Sequence, residues 1–424
     1  MFKNKSEFTK NVLILMTGTT VAQSIPIAIS PILTRIYTPN DFGVWALYIS
    51  IITILSSFIT GKYELAILIP KNNKKAKDLV FLTLFLSFIC SILIFLLIFI
   101  FIDSILILFN NQDIRMWLYF VPFNIFFIST VSTLYYYNNR LKNYKILSKN
   151  QIIQSTSQGF FNLLIGYLNK LNGGLVLGTI LANFISFLHF IYKTKTIFNK
   201  YEIKGDNIIK VSKEYVKFPK YNLTSNFLEN VSSQMPIILL GAFFNSTIVG
   251  FYSLSQRLVS IPIGIIGRSI GDVFREEAAK QLTIKGNCRE IFLTTFKKLL
   301  FISILPFILF YFIAPQLFDI VFGNYWIVAG EYARILTPLF FLQFISNPLS
   351  NMFMIAEKQE YDLILQIYLL IVVCLSFYVG YYIFDNVKIS LYIFTFFYSI
   401  KYIVELILSY KFTKKGNNEI STMF

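Results

Sequence analysis

A handful of charged residues stand where an apolar sequence least tolerates them. Glu229 and Arg257 fall near the middle of hydrophobic segments, and Lys62 and Glu64 close another. An ionisable group at bilayer depth costs about 2.5–3.5 kcal/mol on insertion scales, so it faces a partner or water. Lys62 and Glu64 are two residues apart and cannot face each other on a helix, so at least one needs a partner elsewhere. Arg268 and Asp272 are four apart, which leaves two readings open, a local pair or a functional one. Lys401 and Glu405, also four apart, read as a structural pair. Arg257 has no acid one turn away and is the first candidate functional residue among these charges. Glu229, Glu64 and Asp272 are the candidate carboxylates for coupling to an ion gradient.

Polar stripes accompany these charges at helical spacing. One segment carries Gln151, Gln154, Ser155, Gln158 and Asn162, and another Asn222, Asn226, Glu229, Asn230 and Ser233. Shorter stripes run through Ser50, Thr53, Ser57 and through Ser253, Arg257, Ser260. Such residues serve as interhelical glue or line a hydrated cavity. Their number and amide content favour the cavity, with Gln154, Asn226 and Asn230 as lining residues. Pro26, Pro31, Pro236 and Pro262 interrupt the same segments. Each removes a backbone hydrogen bond and kinks its helix, so these are candidate bending points. The lone histidine, His189, reads as a packed, hydrogen-bonded ring. Cys90, Cys288 and Cys374 lie far apart with no metal-ligand spacing and read as inert thiols.

These residues sit in a chain of 424 residues that is 55% hydrophobic and only 14% charged. Apolar runs of about 20 residues match a hydrocarbon core of about 30 Å at 1.5 Å per helical residue. The chain is therefore expected to be an all-α integral membrane protein. Hydropathy places twelve spans at 12–34, 45–69, 79–102, 115–138, 151–169, 173–193, 218–243, 248–272, 298–319, 331–355, 362–384 and 388–410. Lysine and arginine concentrate in alternate loops, 70–78, 139–150, 194–217 and 273–297, and in the tail. The positive-inside bias puts those loops and both termini in the cytoplasm. The net charge of +16 is then a topology signal and calls for no nucleic acid.

The longest connection, 194–217, divides six spans from six. The expected organisation is a bundle at 1–193, a cytoplasmic linker at 194–217, a second bundle at 218–411 and a tail at 412–424. A degenerate echo supports the division. Phe42-Gly43-Val44-Trp45-Ala46-Leu47 is matched by Val249-Gly250-Phe251-Tyr252-Ser253-Leu254, and Gln23-Ser24-Ile25-Pro26 by Gln234-Met235-Pro236. With an even number of spans per half, the copies would form a parallel repeat.

The twelve spans, the stretch LTRIYTPNDFGVWALYIS, the KYELAILIPK that follows, and QMPIILLGAFFNSTIVGFYSLSQRLVSIP resemble the polysaccharide transporter family. These are bacterial flippases of the multidrug/oligosaccharidyl-lipid/polysaccharide superfamily. The resemblance implies two six-helix bundles in a V around a cationic central cavity. It implies that an undecaprenyl-diphosphate-linked sugar unit for O-antigen, capsule or exopolysaccharide crosses the bacterial inner membrane. Basic residues would receive the anionic head group, here Arg257, Lys62 and Arg268, with Arg35 near the outer mouth. The implied partners are the lipid-linked oligosaccharide, membrane lipids and other polysaccharide assembly proteins. No cofactor is expected, and a proton gradient, a sodium gradient or the membrane potential could drive the cycle. The alternatives are a multidrug cation antiporter of the same superfamily and a polytopic polysaccharide polymerase. The polymerase is disfavoured by short outer loops without a catalytic signature, so the chain is not expected to be an enzyme.

Overall fold

A computed structural model of the protein describes residues 2–109, 111–168, 173–195, 205–261 and 263–414. The described chain is helical almost throughout. Its helices are α1 (Phe2–Ile36), α2 (Pro39–Ile59), α3 (Tyr63–Ala66), α4 (Asn73–Phe109), α5 (Arg115–Leu118), α6 (Val121–Arg140), α7 (Tyr144–Leu168), α8 (Gly174–Thr194) and α9 (Gly205–Glu214). They continue with α10 (Leu223–Phe243), α11 (Ser246–Val259), α12 (Arg268–Lys285), α13 (Arg289–Phe322), α14 (Ile327–Leu349), α15 (Asn351–Ile355), α16 (Gln359–Tyr382) and α17 (Val387–Lys411). Among the described residues, α2, α4, α8, α13, α16 and α17 are long and apolar enough to cross a membrane on length and composition alone.

Local sequence explains where the helices begin. Thr38 caps α2 in a reciprocal arrangement, with Pro39 at the first helical position. The Asp41 carboxylate accepts from the Thr38 backbone N–H at 2.9 Å. The Thr38 hydroxyl accepts the Asp41 N–H at 3.3 Å. Two orphan donors at one helix start are thereby satisfied. Asn386 does the same for α17, accepting from the Lys388 and Ile389 amides.

Four expected spans are interrupted rather than continuous, the fourth at 119–120 between α5 and α6. The second breaks at Thr60, Gly61 and Lys62, with Gly61 and Lys62 both at φ 59°, before resuming as the single turn α3. The eighth leaves α-helical geometry after Val259 and passes through a π-helical turn, Ile263–Gly267, into α12. The tenth breaks at Ser350 between α14 and α15. Hydropathy runs through these breaks because each is only a few residues long and is averaged into apolar flanks.

By contact, the chain forms two compact units, Met1–Gly250 and Phe251–Phe424. In the first, α7 packs on α1 and α8, α6 on α4 and α8, and α10 along α2. This grouping reaches past the 194–217 linker to take in α10, and so differs from the six-plus-six hydropathy division. The amphipathic helix α9 lies against α4. There Val211, Tyr63, Ile67, Leu79, Leu134 and Phe190 share a buried cluster. In the second unit α14 is central, packing on α12, α13 and α17, while α16 pairs with α17. Phe85, Phe88, Phe99 and Ile100 of α4 and Phe301, Phe312 and Ile320 of α13 are exposed. In water such surface would be unusual; in hydrocarbon it is the ordinary lipid-facing face.

Candidate functional site

In the first unit the candidate residues gather where α2 breaks and where α10 runs beside it. The Ser50 hydroxyl of α2 donates to Gln234 Oε1 of α10 at 3.0 Å, and Phe58 meets Phe227 edge-on at 6.1 Å. Lys62 is held in the left-handed region, which costs a lysine of order 1 kcal/mol and concentrates at functional positions. It is the N-cap of α3 and makes no side-chain cap bond, since an ammonium has no acceptor to offer the first-turn amides. A β-carbon on the neighbouring Gly61 would lie 3.8 Å from Pro219, so the break is seated against the start of the α10 segment.

Glu64, one residue into α3, is 5% exposed and its Oε2 has no hydrogen-bond partner. Tyr136 lies within electrostatic reach. Glu229 is exposed on α10, whereas Asn226 and Asn230 are partly buried. The Asn226 and Asn230 amides donate to the carbonyls of Asn222 and Asn226, each at 2.9 Å. Arg35 is exposed at the end of α1. Pro26 and Pro31 lie within α1 and Pro236 within α10 without ending either helix. Ser30 and Thr34 hydroxyls donate to the Pro26 and Pro31 carbonyls.

Gln154 has a different setting from the one its stripe suggests. Its amide donates to Asn183 Oδ1 of α8 at 2.7 Å. Asn183 donates to Asn124 Oδ1 of α6 at 2.7 Å, and Asn124 to the Tyr48 hydroxyl of α2 at 3.1 Å. Along the same face of α8, Thr179 accepts from Trp45 and Gln158, and Ser186 exchanges bonds with Asn150. His189 completes the seam, its Nδ1 3.0 Å from Asn150 Nδ2, with Nε2 buried and without a partner. Sequence reasoning missed Asn124, Asn183 and Tyr48. The signal was present in Thr179, Asn183 and Ser186, which stripe the sixth expected span at offsets of four and three.

In the second unit Arg257 lies in the last turn of α11, partly buried, and the Ser260 hydroxyl donates to its carbonyl at 3.0 Å. Arg268 opens α12, but its side chain, like the whole of Pro262, lies outside the described residues. Asp272 is exposed and pairs with Arg275 at 3.4 Å. Lys401 and Glu405 form a buried ion pair at 2.8 Å. Among the described residues no cluster of three His, Cys, Asp or Glu side chains could hold a metal ion. An apolar pocket of about 410 Å³ on the first unit, lined by Phe88, Ile92, Phe95, Phe123 and Phe126 with Ser91 at its wall, has no group to hold an anion.

Comparison with known proteins turns this constellation into a family. The polysaccharide biosynthesis protein family matches residues 32–331, most of the chain. The chain belongs to that family. A stretch of 136 residues is 26% identical to the teichuronic acid biosynthesis protein TuaB of Bacillus subtilis (strain 168), covering 32% of this chain and 28% of that relative's length. The fold is that of the MOP superfamily. An inward-facing MATE-family multidrug resistance transporter superposes with a TM-score of 0.66 at 16% identity, covering 93% of both chains. The lipid II flippase MurJ, in an inward closed conformation, superposes with a TM-score of 0.76 at 11% identity, covering 94% of this chain and 87% of its own. A MOP superfamily transporter from Pyrococcus furiosus superposes with a TM-score of 0.65 at 15% identity, covering 94% of both chains. The resemblance read from LTRIYTPNDFGVWALYIS and its companions thus names the right family, and the protein is an all-helical, multi-pass membrane protein with a MOP-like fold.

Proposed function

We propose that the protein is a flippase that carries a lipid-linked oligosaccharide from the cytoplasmic to the outer leaflet for surface polysaccharide assembly. Family membership over residues 32–331 carries the reading. An undecaprenyl-diphosphate carrier fits the basic candidates, because a diphosphate needs fixed cations where water is scarce. In this reading twelve spans form two six-helix halves related by a parallel repeat, both termini are cytoplasmic, and the halves rock about a polar cavity. Lys62 meets the head group on the cytoplasmic side and Arg257 holds it at depth, with Arg268 and Arg35 further along the path. Glu64 is the first candidate for ion coupling, since its buried Oε2 lacks a partner, with Glu229 and Asp272 behind it.

Arg257→Ala should abolish surface polysaccharide while the protein remains in the membrane; normal polymer levels would remove Arg257 from the path. The leaflet that accumulates lipid-linked units in a deletion strain tests the function itself. Accumulation on the inner leaflet supports the flippase, and accumulation on the outer leaflet points to a polymerase. The similarity to a MATE transporter keeps the multidrug cation antiporter as a second reading. Drug hypersensitivity of the deletion strain with intact polysaccharide would favour it.

A further inference from the structure

Helix α9 has two faces, and the candidate site uses neither. The inward face is fixed to the first unit. Val211 is buried in one cluster with Leu79 and Leu134, and Ile208, Tyr215 and Phe218 pack against that cluster. The Tyr63 hydroxyl of α3 donates to the Ser212 carbonyl at 2.9 Å. Lys75 of α4 donates to both carboxylate oxygens of Glu214, each at 2.9 Å. Helical hydrogen bonds continue past Glu214, from the Tyr215 amide to Val211 at 3.1 Å and from the Val216 amide to Lys213 at 3.4 Å. At about 3.6 residues per turn, the outward face therefore holds Ile209, Lys213 and Val216, with Lys210 and Lys217 alongside. All five are exposed, Ile209 by 55% and Val216 by 51%.

Depth puts this face at the edge of the hydrocarbon. The apolar run of α4 begins at Leu79, and Lys75 stands four residues, or about 6 Å of helix, outside it. The polar layer on each side of a bilayer is itself about 5–7 Å deep. Glu214 is bonded to Lys75, so the end of α9 lies in that layer. An amphipathic helix at this level turns its apolar side chains to the acyl boundary and its lysines to the headgroups. The charge on the face is one-sided. Within 205–217, Lys210, Lys213 and Lys217 are opposed by Asp206, while Glu214 lies on the other side with Lys75. A surface that alternates Ile and Val with Lys is complementary to an anionic interface and to no neutral one.

We propose that the outward face of α9 is a docking surface for anionic phospholipid headgroups. Ile209 and Val216 sit at the acyl boundary, and Lys210, Lys213 and Lys217 meet the phosphates. In the topology proposed above, 194–217 is cytoplasmic, and the lipid is then that of the inner leaflet, whose negative surface attracts basic segments. The docking itself depends neither on that topology nor on the identity of the transported substrate.

Hydrogen exchange of the full-length protein in nanodiscs tests this, comparing phosphatidylcholine alone with an equimolar mixture of phosphatidylcholine and phosphatidylglycerol. Peptides covering 205–217 should exchange roughly fivefold or more slowly in the anionic discs, as attraction of a single lysine to such a surface would give. The slowing should fade at high salt, which screens exposed charge. The Lys210→Gln/Lys213→Gln/Lys217→Gln variant should exchange alike in both discs, at the wild-type phosphatidylcholine rate. Equal wild-type rates in the two discs would overturn the proposal and leave the face to the cytosol or to a protein partner. So would slowing that survives in the lysine variant, or that spreads evenly over α13 and α17. Should the variant fail to fold, the salt response of the wild type still decides. Nanodiscs present anionic lipid on both sides, so the outcome does not depend on topology; labelling of Ile209→Cys in intact cells tests that separately.

Discussion

Gly43 and Gly250 lie back to back, each at the only kind of residue the contact admits. A β-carbon on Gly43 would strike the Ser246 carbonyl; one on Gly250 would strike the Pro39 carbonyl and sit 3.1 Å from the Gly43 amide. Asn40 and Ser246 are hydrogen-bonded beside them. These are the two glycines of the sequence echo, so the repeated motif meets itself at the starts of α2 and α11.

Gly43→Ala and Gly250→Ala should each destabilise the protein by about 1–3 kcal/mol, the range for overpacking a close contact. Thermal unfolding followed by size-exclusion fluorescence would register lowered midpoints. Gly264→Ala is the control: a β-carbon there meets nothing within 4 Å, and its midpoint should hold or rise slightly. Equal losses at all three positions would point to a general intolerance of alanine.

Gln154→Leu should lower the unfolding midpoint and leave surface polysaccharide near normal. Its amide is spent on Asn183, and interhelical hydrogen bonds in membranes are worth about 0.6–2 kcal/mol. A stable variant with no polymer would return Gln154 to the cavity.

Helix α9 should be held by its apolar contacts rather than by its ion pair. Lys75 and Glu214 are bonded at 2.9 Å but nearly half exposed, and such pairs contribute about 0–1 kcal/mol. Val211 is 3% exposed, and truncating it to alanine should cost about 1–2 kcal/mol. Limited proteolysis of the 205–217 segment should therefore speed up more in Val211→Ala than in Lys75→Ala.

Glu64→Gln should raise the melting midpoint, because a buried carboxylate lacking a partner for one oxygen gives way to a neutral amide. If Glu64 couples transport to an ion gradient, polysaccharide export should fall in the same variant, a stability–activity trade-off. A stabilised protein with full export would leave Glu64 without a coupling role.

The Cys288 thiol should resist alkylation at neutral pH. It is fully buried at the start of α13, and burial pushes its pKa up to about 11. The nucleophile is the thiolate, whose population is small below that pH and grows as pH approaches it. Maleimide labelling should thus be slow at pH 7, accelerate with rising pH in the folded protein, and become fast at any of these pH values on unfolding. Rapid labelling of Cys288 at pH 7 in the native state would contradict its burial.

The helices were legible because runs such as that of α4 have one explanation in hydrocarbon. Their breaks were not. Nothing in Thr60-Gly61-Lys62 announces two consecutive left-handed residues, and the contact of Gly61 with Pro219 comes from some 160 residues downstream. The polar stripes are legible in the sequence, but Gln154 looks the same there whether water or Asn183 answers it. The pairing of Lys401 with Glu405 was readable from their spacing of four, since both ends of the bond lie on one helix face.

At the start of α13 the Asn287 side chain accepts the Arg289 amide at 2.9 Å, and the Cys288 side chain makes no cap bond. The Cys288 amide donates to the Thr413 carbonyl at 2.9 Å, and the Cys288 thiol approaches the same oxygen at 3.5 Å. That acceptor is translated 125 residues later. During synthesis α13 must therefore reach the bilayer with the Cys288 amide still without this acceptor, and α14 to α17 must be delivered before the ribosome supplies Thr413. The second unit is joined up at this point only once α17 and the residues just after it have been made.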